Sequence, residues 1–161
     1  MSKRGKFVVI DGLDGVGKGV FIRSFMDAAK ADGKRIFNLH DFWRTYNFLP
    51  DVKDLVEKYD IVITAEPTFA GVGQYIRTEL TAKNDRDYSP EVIAHAYALD
   101  RHILYEKLIL PLLDAGVDIY QSRSFSTSIV YQRQHAMDQN VPFNVQDILA
   151  IPGNAFCYRH P

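Results

Sequence analysis

Cysteine occurs once in the 161 residues, at position 157, so no internal disulfide can staple the fold. No apolar run is long enough for a membrane span, and the one behind the basic N-terminus, MSKRGKFVVIDG, is too short for a signal peptide. Neither sign of charge is in excess: 19 Lys and Arg against 20 Asp and Glu leave a formal net charge of -1. Such a chain projects no broad field toward nucleic acid or a membrane surface. The five histidines lack the spacing of a metal-ligand set, and no repeat, low-complexity tract or linker interrupts the chain. What remains is an ordinary soluble composition, 47% hydrophobic, expected to build a single domain over residues 1–161 around a core of its own. A cytoplasmic location follows by default, with no nucleic-acid or membrane partner, and partners have to be argued from sites.

The first such site lies near the N-terminus. KFVVID (6–11) is a β-rich run, and from Lys18 to about Asp32 the residues Phe21, Ile22, Phe25, Met26 and Ala29 share one helical face before Gly33 closes it. Between strand and helix, GLDGVGKGV (12–20) approaches the phosphate-loop pattern G-x-x-x-x-G-K-[ST]. In such a loop the glycines let backbone N–H groups point at phosphate oxygens beside the positive end of a helix, while the lysine bridges the terminal phosphates. Gly12, Gly17 and Lys18 fit; Gly19 and Val20 stand where a hydroxyl is expected. Lys18 is therefore the first catalytic candidate, and Gly12, Leu13, Asp14, Gly15, Val16, Gly17, Lys18, Gly19 and Val20 form the candidate ATP loop.

RIFNLH (35–40), DIVITAE (60–66) and VDIYQS (117–122) read as further strands, the second apolar enough to be covered on both faces. Helical stretches follow at FAGVGQYIRTEL, from Ser89 and Pro90 to about Asp114 with a kink expected near Pro111, and at STSIVYQRQHAM. Asn144 and Asp147 suggest a capped helical turn. AFCYRHP is expected to enter a strand, with Cys157 as a small buried hydrophobe. Strands alternating with helices imply an α/β fold with a parallel sheet and right-handed crossovers, and ligands in such sheets bind at the carboxyl ends of the strands. The glycine loop, EPT (66–68) and SRS (122–124) all fall at such ends.

Four ordered segments resemble the thymidylate kinase family. FVVIDGLDGVGKG resembles its opening strand and loop, and AEPTFAGVGQYIRTEL its R-E-P segment followed by G-x-x-I-R. YALDRHILYEKLILPLLDAG resembles its L-F-A-x-D-R helix, and SRSFSTSIVYQ its D-R-Y-x-x-S-S-x-A-Y-Q. The resemblance implies a P-loop NTPase-type three-layer sandwich, a parallel sheet flanked by helices, and transfer of phosphate from ATP, with Mg2+, to thymidine monophosphate. By the same resemblance Asp14 faces the acceptor's sugar, Tyr97 stacks on its base, and Arg101 belongs to the acceptor site. Ser128 and Tyr131 meet the pyrimidine and the 2′ position, while Arg123 and Arg77 grip phosphate. Glu66 positions the acceptor phosphate or a metal-bound water, and a homodimer forms through helices flanking the sheet. Spacing agrees in two places: Tyr97 and Arg101, and Ser128 and Tyr131, are pairs that share a helical face. Ordinary roles compete for each residue, namely core packing for Tyr97, exposed charge for Arg77 and Arg101, a helix cap for Glu66, and plain helix positions for Ser128 and Tyr131.

The chain departs from the family pattern where charge is offset. Ser122 replaces the Asp of D-R-Y, Val20 a hydroxyl, and Gly15 the arginine that one branch carries. One lost stabilising group costs on the order of 3 kcal/mol in the transition state, so weak catalysis is expected. Two other functions stay open: a nucleotide-binding protein without phosphotransfer, and a deoxynucleoside kinase. The metal ligands are not assigned by the sequence. The family's last strand, lid and terminal helix are expected beyond Pro161, as in a fragment or a reduced lineage. The aromatic residues Phe42, Trp43, Tyr46 and Phe48 read as packing of an insertion or as a subunit contact.

Overall fold

In the computed structural model residues 3–160 are described; Met1, Ser2 and Pro161, where the sequence ends, lie outside them. Among the described residues four short strands, β1 (Phe7–Ile10), β2 (Ile36–Asn38), β3 (Ile61–Ala65) and β4 (Asp118–Ser122), lie parallel in the order β1-β4-β3-β2. β3 is buried along its whole length, as its unbroken apolar run requires of an inner strand. Its side chains alternate between two packed faces. Ile61 and Ile63 join Ala29 with Ile22, Phe25 and Met26 of helix α1 (Lys18–Ala31). Val62 and Ile119 face Leu104, Leu108 and Leu112 of the long helical element on the other side. Helices thus cover both faces of the sheet. Phe21, expected on the inner face of α1, is instead exposed.

After β2, Leu39–Phe42 turns into a short helix, α2, where strand was expected to reach His40; Asn38 caps it by accepting from the His40 N–H. α3 (Lys53–Val56) leads to β3, and α4 (Gly71–Tyr75) continues as a π-helical turn over Ile76–Leu80. α5 (Pro90–Leu104) starts as read from sequence, with Ser89 Oγ accepting from the Val92 N–H at 3.3 Å and Pro90 in its first turn. It passes through a π-helical turn, Tyr105–Ile109, into α6 (Leu110–Asp114). Pro111 has no N–H and its ring crowds the carbonyl four residues back, and a widened turn just before it relieves both. α7 (Phe125–Asp138) follows β4, and α8 (Val145–Ala150) carries the expected capping box between Asn144 and Asp147.

The last described element corrects the sequence reading. Pro152–Tyr158 is a helix, α9, and not a strand, so Cys157 is buried in a helix. Gly153 lies so close to α5 that a Cβ there would stand 2.2 Å from the Ala98 carbonyl oxygen. Packing against α5 overrides the β-leaning composition of AFCYR. Of the aromatic insertion, Trp43 is buried in the main core, while Phe42, Tyr46 and Phe48 pile on one another with centroids 4.7 to 5.6 Å apart. No helix among the described residues is long and apolar enough to cross a membrane.

Candidate active site

Strand register assembles the site. Ile10, Ser122 and Ala65 pair in one row across β1, β4 and β3. The next residue on each strand is therefore Asp11, Arg123 or Glu66, three ionisable side chains at one rim. Ligands of parallel sheets bind at such carboxyl ends.

Next to Asp11 runs the glycine loop. Gly17, at φ 93°, caps α1 in the left-handed region, where only glycine is free of strain. Lys18 folds back over the loop, its Nζ donating to the Gly12 carbonyl at 2.7 Å and the Leu13 carbonyl at 2.6 Å. Val20 is 59% exposed, so the place of the missing hydroxyl is open to solvent and apolar. Asp11 accepts from the Gly12 N–H at 2.8 Å and from Ser126 Oγ and Thr127 Oγ1 at the start of α7. Burial works to raise its pKa, but these donors outweigh it and hold the carboxyl below its ordinary value.

Arg123 adopts φ 66°, a left-handed conformation that costs a non-glycine residue roughly 1–2 kcal/mol. Its N–H donates to the Ile10 carbonyl at 3.0 Å, and its carbonyl accepts from Gln121 Nε2 at 3.0 Å. Its guanidinium pairs with Asp14 of the loop and lies 5.6 Å from the centre of the Tyr131 ring.

Between this rim and α5 opens a cleft of about 580 Å³. Asp14, Arg123, Arg77, Tyr97 and Tyr131 line it together, so five of the residues singled out in the sequence converge. Arg77 is half-buried and fixed: its guanidinium donates to the Pro67 and Thr68 carbonyls and lies 3.7 Å over the Phe69 ring, which itself stacks on His40. Burial, then the Arg77 charge, pushes the His40 pKa down, which leaves a neutral ring behind that stack.

Glu66, Arg101 and Ser128 are placed elsewhere, and the expected grip of Tyr97 and Arg101 on one base is not what the structure brings together. Arg101 is 1% exposed and does not line the cleft. Its Nε donates to Glu66 Oε2 at 2.7 Å, and its two other nitrogens to Asn154 Oδ1 and Ser128 Oγ. The second Glu66 oxygen accepts from Gln121 Nε2 at 2.9 Å. Burial pushes the Glu66 carboxyl up, against the pull of the Arg101 charge. Both arms of this ion pair are buried, so it forms a floor beneath the cleft and not a part of its wall.

Four participants were missed from sequence: Asp11, Gln121, Gln132 and Asn154. Asp11 precedes the first loop glycine and Gln132 follows Tyr131, so motif position could have drawn attention to both. Gln132 lines the cleft at 3% exposure, and its Oε1 has no hydrogen-bond partner in the protein. A buried unpaired acceptor costs about 1–3 kcal/mol. Gln121 and Asn154 carry no local signal, since their partners are brought by the fold. Among the described residues no group of three or more His, Cys, Asp or Glu is arranged to hold a metal ion.

Comparison with known proteins points to one family. A family model described as thymidylate kinase matches residues 52–150, a stretch that begins after the glycine loop. A thymidylate kinase of Exiguobacterium sp. is 28% identical over 84% of this chain and 53% of its own length. Probable thymidylate kinases of Caldivirga maquilingensis and Pyrococcus horikoshii are 25% and 27% identical, over 91% and 98% of this chain and 58% and 66% of theirs. The chain thus spans between about half and two thirds of the length of these three relatives. A solved structure of thymidylate kinase from Ehrlichia chaffeensis shares the fold, with a TM-score of 0.58 at 17% identity, over 90% of this chain and 67% of that one.

Proposed function

The chain belongs to the thymidylate kinase family, and from that membership we propose that it transfers the terminal phosphoryl group of ATP to thymidine monophosphate, giving ADP and the diphosphate. The observation that carries this reading is the cleft, lined by Arg123 and Asp14 at the glycine loop together with Tyr97, Tyr131, Arg77 and Gln132. A nucleoside monophosphate offers matching chemistry. Its phosphate is anionic toward Arg123, and its base is flat beside Tyr97 and Tyr131.

In this reading the chain positions and neutralises, which is most of what phosphoryl transfer requires. The backbone N–H groups of the loop and the start of α1 hold the ATP phosphates, and Lys18 moves from the Gly12 and Leu13 carbonyls to the terminal phosphates. Arg123 exchanges Asp14 for the phosphoryl oxygens. The residues present suit Mg2+ carried with the nucleotide, because that ion takes one or two carboxylates and completes its shell with phosphate and water. Asp11, whose carboxyl stays ionised, and Asp14 supply hard oxygen donors at the loop. Bound there, the ion would offset phosphate charge. Glu66, Arg101 and Ser128 act from beneath as support.

Turnover measured across the nucleoside monophosphates, with thymidine included and Lys18→Ala as control, tests the proposal. Phosphorylation of dTMP well above the control supports it. No turnover for any acceptor refutes it, and dTMP binding without turnover leaves the binding-only function in its place. Thymidine preferred over dTMP points to the deoxynucleoside kinase instead. Restoring the family's groups through Val20→Thr and Ser122→Asp is expected to raise the rate. A homodimer has apolar support on α5, where Val92, Leu99 and Ile103 are exposed, and sedimentation checks it. A cytoplasmic location suits the lone buried thiol.

A further inference from the structure

The side chain of Gln121 sits at 0% exposure between two acceptors. Its Nε2 donates to Glu66 Oε1 at 2.9 Å and to the Arg123 carbonyl at 3.0 Å. Both partners are acceptors, so the amide nitrogen must face them, and Oε1 points away with no partner. An amide held at the expense of its own oxygen is a poor way to fill a strand interior, where a residue of similar shape without polar atoms would pack as well. The backbone of Arg123 indicates what the arrangement achieves. Arg123 is the residue at φ 66°, and the two peptide groups flanking it are tied on opposite sides, its N–H to β1 and its carbonyl to Gln121. The tie continues downward, since the Glu66 carboxylate that orients Gln121 is itself locked by Arg101, and Arg101 by Ser128 of α7 and Asn154 of α9.

We infer that Gln121 is a positioning residue that holds Arg123 in its left-handed conformation and so aims the guanidinium into the acceptor cleft. This rests on the thymidylate kinase reading of that cleft. Without the Gln121 amide the Arg123 carbonyl is free to turn, the backbone relaxes toward the ordinary region, and the guanidinium leaves the line from Asp14 to Tyr131. A bound phosphate then meets an arginine that has to be reordered first.

The experiment is a double-mutant cycle read by calorimetry, with dTMP and ATP titrated separately into wild type, Gln121→Met, Arg123→Ala and the double variant. Loss of the positioning bond is expected to weaken dTMP binding about tenfold when Arg123 is present and less than twofold when it is absent, because the two residues act through one interaction. ATP affinity is expected to stay within twofold of wild type in Gln121→Met. Equal losses of dTMP affinity in both backgrounds, or a parallel loss for ATP, would overturn the positioning role in favour of general loosening of the rim. If Gln121→Met does not fold, Gln121→Asn, one methylene too short to reach both acceptors, takes its place in the same cycle. Wild type that does not bind dTMP at all is a different failure, which removes the acceptor reading and the positioning role with it.

Discussion

Replacing Arg101 by Met tests the buried floor of the cleft directly. Methionine matches much of the arginine stem but leaves the Glu66 carboxylate, 3% exposed, with only Gln121 as a donor among the side chains described here. Removing one partner of a buried pair costs about 3–5 kcal/mol, chiefly the penalty of an uncompensated charge. The Asn154 and Ser128 contacts go with the same guanidinium and are not counted on top of that cost, so the expected total is about 4 kcal/mol. For a domain of this size that lowers Tm by about 8–16 °C. Urea unfolding at a series of pH values is the assay. With the guanidinium gone, burial alone raises the folded-state pKa of Glu66 above its unfolded value, which penalises folding at high pH and releases the penalty as pH falls and the carboxyl takes up a proton. The deficit relative to wild type is thus largest near pH 8 and shrinks toward acid. Arg101→Met combined with Glu66→Gln should recover most of the loss, because the neutral amide needs no counter-charge. A deficit under about 1 kcal/mol at pH 8, or no recovery in the double variant, would refute the claim that this pair is a buried structural element.

Three further outcomes are expected. Gln132→Leu removes a buried oxygen without a partner, so thermal stability should hold or rise by up to about 1–3 kcal/mol while dTMP affinity falls; a drop in both would place Gln132 in the core and not in the site. Asp60 is held at a pKa of about 2, first by the Arg35 side chain and then by the Arg35 N–H. Its contribution is present above the unfolded carboxylate value of about 3.9 and lost as pH falls from there toward 2, so Asp60→Asn should flatten that part of the stability curve, as read by urea unfolding. Gly153→Ala drives a methyl against the Ala98 carbonyl and should destabilise by about 1–3 kcal/mol or more; an unchanged melting temperature would mean that α9 shifts freely on α5.

Much of the scaffold was legible because its signals are local. The apolar run 61–65, the Ser89–Pro90 start of α5 and the Asn144–Asp147 capping box each depend on neighbours in sequence, and each appears where read. α9 was misread because its helical state is imposed by α5, which a propensity argument does not see. The same limit governs the site. Periodicity places Tyr97 and Arg101 on one face of α5, yet a face says nothing of depth, and Glu66, 35 residues away in sequence, draws Arg101 out of the cleft into the floor. Lys18 and Arg123 stood out because their motifs run along the chain, whereas Gln121 and Asn154 matter only through partners that folding delivers.

The knot at Arg101 also bears on how the molecule breathes. Through Asn154 helix α9 is fastened to the same guanidinium that steadies the strand ends, so it cannot detach from α5 without stranding a buried charge. Amide hydrogens in that helix should exchange with deuterium only in the slow, cooperative openings that also free the centre of the sheet, which makes a helix distant from the sheet in sequence part of its most protected unit.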